Sequence, residues 1–329
     1  MSDVQVSDLS VEGIGEQLGE LRCLNQVGPL HSATVRLSFD FEGDPDPIAI
    51  AALAQAMLVT RDDIELIVDL HDRPQTLRWL VRGGIVSALS RRTDVQWERS
   101  PKAIEQGYLW HTWTPGAHEA MAPMFEVGSE SESLFGPEHA VFVNPHLTTE
   151  PYGHASLTPL VRRWLTQVVA PGLSPADHEA YIAAPIFAID QLVHNVREHA
   201  IMPFNHALVD SVVALETVEN RLGRQLRVSV IDTGAGVAQT LRPKLLGAFD
   251  HPDDGDLLTA LLRGEVPGWD RGRGFGLATI AALVAERPGA ALDVWSGEAR
   301  VSCENEVVER SAPEVSGTVI NAFFPLPAN

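Results

Sequence analysis

The chain has 329 residues, 45% hydrophobic and 21% charged, with a formal net charge of −20 from 44 acidic and 24 basic side chains. That length suits two domains with substantial cores, and the acidity argues against nucleic acid or an anionic membrane as partner. Cys23 and Cys303 lie far apart with no Cys/His cluster, which argues against a disulfide framework or a zinc site and makes a cytoplasmic protein the expectation.

Residues 1–30 are acidic and lack the apolar core of a secretory signal. They read as a lead-in, either a short helix or loose chain. Residues 35–41 (VRLSFDF) alternate apolar and polar side chains, as a half-buried strand does. The turn EGDPDP separates them from a helix candidate at 48–58, which is too short and Ala-rich to span a bilayer. Residues 64–70 (IELIVDL) read as a strand, 75–89 as a helix by period and 95–98 as a strand. Strands alternating with helices predict an α/β unit over 31–155.

Residues 99–154 give fewer signals. Trp110 and Trp113 fall here, and both read as core or interface residues. A Gly/Ser/Glu segment at 127–138 reads as an exposed loop, 139–144 (HAVFVN) as a strand and 145–155 as a linker. A second domain, 156–329, follows. It opens with a helix pattern at 157–170, and Ser174-Pro175 then marks a new helix start, with serine as cap and proline in the first turn. That helix runs into 187–200, with Pro185 either breaking it or not. Strands are expected at 211–218 and 227–231, a helix at 276–286, and late strands at 291–296 and 319–325. The order implies an α+β sandwich.

Four stretches of this half bear on chemistry. In FAIDQLVHNVREHA (187–200), Gln191, Asn195 and His199 recur every four residues and share one helix face. Asn195 offers a carbonyl oxygen suited to Mg²⁺, although a helical Asn bonded to nearby backbone is the commoner case. IDTGAGV (231–237) sets Asp232 at the end of an apolar strand, before Gly234 and Gly236. The carboxylate can accept from an exocyclic amine while the glycines let the backbone approach a flat ligand; a simple turn with Asp at its first position is the commoner reading of this motif alone. RGRGFGL (271–277) precedes a helix, where glycines free N–H groups to meet phosphate. SGTVI (316–320) opens the closing strand.

In this order the four stretches resemble the GHKL ATPases, the Bergerat-fold group that includes histidine-kinase ATPase domains, anti-sigma serine kinases, gyrase, Hsp90 and MutL. The resemblance covers about residues 156–327. It implies an α+β sandwich that binds ATP or ADP with Mg²⁺. Asn195 would coordinate the Mg²⁺ and His199 would line the phosphate side. Asp232 would bind the adenine amino group, with Gly234 and Gly236 shaping the turn and Thr318 nearby on the final strand. Gly272, Arg273, Gly274, Gly276 and Leu277 would form the phosphate-binding end of an ATP lid over 238–270. The acidic run HPDDGD (251–256) within it reads as solvated, mobile loop.

One departure matters. Many active members carry Glu four residues before the Mg²⁺ asparagine, and here that position is Gln191. A neutral amide orients a water but cannot take its proton. Asp190 lies about 100° round the helix, a poor substitute. The implied function is therefore an ATP-dependent switch acting on a protein partner, the alternative being an anti-sigma-type serine/threonine kinase or slow ATPase. A homodimer stays open. The first half more faintly resembles STAS-like domains, in IELIVDL and the following LRWLVRGGIVSAL, but lacks the Asp-Ser that carries regulatory phosphorylation in true antagonists.

Overall fold

The structure is a computed structural model that describes residues 2–6, 14–26, 33–39, 46–58, 64–69, 95–98, 139–143, 158–159, 161–162, 164–166, 173–196, 211–220, 223–245, 252–266, 276–304 and 306–327. These residues form helices and two sheets. The first sheet holds β1 (Ser2–Val6), β2 (Ala33–Phe39), β3 (Ile64–Asp69) and β4 (Val95–Glu98), in that spatial order and all parallel. Parallel neighbours need crossovers. Helices α1 (Gly15–Gln26) and α2 (Pro47–Leu58) lie in the first two. Along β2, Val35, Leu37 and Phe39 are buried while Thr34, Arg36 and Ser38 are half-buried, so the period-2 pattern translates into one core face. The stretch 1–30 is thus more than a lead-in: it supplies β1 and α1. The helix expected at 75–89 lies outside the described residues.

The second sheet contains β5 (His139–Val143), β6 (Ser211–Asn220), β7 (Gly223–Asp232), β8 (Ala291–Cys303) and β9 (Val307–Pro325). It is antiparallel throughout, in the order β5-β6-β7-β9-β8. The 139–143 strand, read from sequence as the end of the first unit, pairs with β6 instead. The second sheet therefore draws on residues before 155.

One face of this sheet is covered by α3 (Pro175–Asn195), α5 (Asp254–Leu262) and α6 (Gly276–Ala285), with α4 (Val237–Leu245) beside them. Ile189, Leu192, Leu257, Leu261 and Ile280 pack there with Val228 and Ile320 in one buried cluster. Each such side chain contributes about 1.5–3 kcal/mol by leaving water. The α3 start is as expected: Ser174 caps it, its side chain accepting from Asp177 N at 3.2 Å, with Pro175 in the first turn. Pro185 is buried inside a continuous helix.

Both α1 and α2 also pack on β9. Alternate residues of β7 and β9 point away from the α3 side, Ser229 and Asn321 among them, and both are buried. Helix α2 explains itself by composition: residues 48–57 are buried all round, as a helix apolar at all but one position must be.

Candidate functional site

Strand β7 ends at Asp232, which is 7% exposed. Its carboxyl Oδ1 accepts from Gly234 N at 2.9 Å, closing an Asx turn. Thr318 is its register partner across β7 and β9, is also buried, and bonds to the carboxyl through both side chain and main chain. Burial pushes the Asp232 pKa up from 3.8 to about 6; the hydrogen bonds from Gly234 and Thr318 act against that rise. The result is a buried acceptor held by short-range donors at a strand end.

The turn after it is closely built. Gly236 has φ +79°, and a Cβ there would lie 2.7 Å from Ser296 Oγ and 2.8 Å from the Gly317 carbonyl. Ser296 ties three elements together. Its hydroxyl accepts from Val237 N at the start of α4 and donates to Gly317 O, both at 2.9 Å. Gly317 itself has φ +124°, and a Cβ would lie 2.3 Å from Asp232 O. Glycine is required at both positions by backbone conformation and by space.

A second cluster forms where the end of α3 meets the start of α6. Gly276 lies against the Asn195 side chain: a Cβ at 276 would be 3.0 Å from both the oxygen and the nitrogen of that amide. Asn195 is half-buried, Gln191 is half-buried one turn earlier, and His194 faces solvent. Leu277 is buried in the helix-side core. The Asn195 amide therefore packs directly against Gly276, and its oxygen is of the type that a hard cation accepts. Among the described residues, no group of three or more His, Cys, Asp or Glu could hold a metal ion.

Two clusters thus emerge. Asp232, Gly234, Gly236 and Thr318 sit together at the end of β7; Asn195 and Gly276 meet at a helix junction, with Gln191 behind. His199, Gly272, Arg273 and Gly274 lie outside the described residues. Ser296 and Gly317 carry no signal in sequence that separates them from other strand residues, although Gly317 stands within SGTVI.

The 238–270 stretch departs from a simple lid. It contains most of α4 and all of α5, and α5 buries Leu257, Leu258, Leu261 and Leu262 in the core. The acidic run is not loose loop there. Asp253 caps α5 in a reciprocal capping box with Asp256. Asp254 accepts from Arg242 at 2.5 Å and from Glu298 N at 3.1 Å. The carboxylates are used in capping and cross-linking.

No family model, curated protein or solved structure matches the chain. Among the described residues, no helix is long and apolar enough to cross a membrane.

Proposed function

We propose that the second half of the chain is a GHKL-type module that binds Mg-ATP, and that the protein works as a nucleotide-dependent switch on a protein partner. The observation that carries this reading is Asp232: a buried carboxylate at a strand end, hydrogen-bonded by Gly234 and Thr318, beside a turn that requires glycine at 236 and 317. A planar base with an exocyclic amine fits such a floor, the amine donating to the carboxylate. Asn195 would hold Mg²⁺, which supplies charge neutralisation at the phosphates. Gly276 leaves room for that amide, and the α6 N-terminus behind it favours an anion.

Gln191 makes the switch reading preferable to catalysis. It occupies the position one turn before Asn195 and has no proton-accepting strength near neutrality. Nucleotide occupancy then acts by shifting populations, which needs differential affinity for two states and no turnover. The first sheet, with α1 and α2 on β9, is the natural element to carry that state to a partner.

The test is a turnover assay beside a binding assay on the full chain. Mg-ATP binding with negligible phosphate release or acceptor phosphorylation supports the switch. Turnover abolished by Asn195→Ala would replace it with the kinase or ATPase alternative.

A further inference from the structure

Helix α2 has one polar side chain, Gln55, in the apolar sequence PIAIAALAQAML. It is 1% exposed. A buried amide must find acceptors, but that need alone does not say where they lie. Here the Nε2 group donates to the Ser316 carbonyl of β9 and, in a long bond of 3.4 Å, to the Asp232 carbonyl of β7. These are the two strands that present Thr318 and Asp232. Gly317 of β9 faces both Gln55 and the Asp232 carbonyl, and its missing side chain makes the approach feasible: a Cβ there would be 2.9 Å from Gln55 Nε2.

The other end of α2 is anchored too. Asp46 caps it, accepting from Ile48 N at 3.0 Å, and lies 3.7 Å from Arg300 of β8. The helix therefore bridges β8 at its start and the β7–β9 junction near its end. Because α2 is also the crossover between β2 and β3, Gln55 links the parallel sheet to the carbonyls of Asp232 and Ser316.

We propose that Gln55 is a positioning residue for the Asp232–Thr318 floor, coupling the first sheet to nucleotide affinity; this inference rests on the nucleotide reading above. Gln55 fixes the spacing of the β7 end and the Gly317 turn. Occupancy of the floor in turn fixes α2, since coupling between two sites is reciprocal.

The experiment uses the full chain and ATP. Calorimetry measures ATP affinity for wild type and for Gln55→Met, which keeps side-chain volume and removes the donor. Hydrogen exchange is followed in α2 and α6 with and without saturating ATP. The expected result is an affinity loss of about tenfold in Gln55→Met, within the usual range for coupled sites. In wild type, ATP slows exchange in both helices; in the variant, the α2 effect disappears and the α6 effect stays. Wild type that binds ATP with α2 exchange unchanged, or a variant with undiminished affinity, overturns the role of Gln55 alone. Wild type that binds no ATP removes the nucleotide reading and this inference together. Should Gln55→Met fail to fold, exchange in wild-type α2 decides the matter.

Discussion

Asn195 and Gly276 come from helices α3 and α6, 81 positions apart in the chain, and meet so closely that a Cβ on Gly276 would lie 3.0 Å from both polar atoms of the Asn195 amide. The glycine sits at the first residue of its helix, where backbone freedom is not the reason for it. Space for the amide is. Gly276→Ala is expected to push Asn195 aside by a few tenths of an ångström while adding helix propensity. Mg-ATP affinity should fall by about tenfold, or ~1.4 kcal/mol, with ATP affinity in chelator unchanged. Calorimetry with and without Mg²⁺ checks this.

Asp232 makes stability depend on pH in an unusual direction. Its folded pKa, about 6, is above the unfolded value of 3.8. Between those values the native state binds more protons than the unfolded chain, so stability falls as pH rises through the window. Above about pH 6 the full cost of the buried charge is present, of order 3 kcal/mol. Asp232→Asn removes that titration. Urea unfolding should show the variant gaining on wild type from pH 4 to pH 6.5, then holding a constant advantage.

Gly236→Ala tests the turn. A side chain there meets Ser296 Oγ and the Gly317 carbonyl, and φ is +79°. A loss of about 1–3 kcal/mol is expected from strain of this kind, read as a lower urea midpoint with an unchanged slope. ATP affinity should fall with it, because the same turn aims Asp232.

Gln191→Glu asks whether the missing base alone separates switch from enzyme. The side chain is half-buried and its amide and carboxylate forms are the same size. General-base assistance contributes about a hundredfold or more. Phosphate release should rise by that order in the variant, and Asn195→Ala in the same background should abolish the gain.

Much of this architecture is legible locally. The helix start at Ser174-Pro175, the strand ending on Asp232 and the all-buried α2 each follow from cap chemistry, alternation or composition. What escapes sequence is non-local. SDVQV is too short and polar to announce β1, which becomes a strand by pairing with β2. HAVFV reads as a strand, yet its sheet is decided by β6, more than sixty residues later. The acidic run at 251–256 looks like solvated loop until Arg242 and the Glu298 amide bond to Asp254. For the site, Asp232, Gly236, Thr318, Asn195 and Gly276 come from motif reading, and the structure groups them into two clusters. Gln55 and Ser296 are invisible beforehand, because one amide in an apolar helix and one serine in a strand say nothing about their acceptors.

Nucleotide binding is decided by calorimetric titration of the full chain with Mg-ATP at pH 7.5, for wild type and Asp232→Asn. Wild type is expected to bind saturably and the variant to lose about tenfold or more in affinity while keeping its fold. A folded wild-type protein that binds no ATP, or a variant that binds it equally well, would rule out Asp232 as the floor of a nucleotide site.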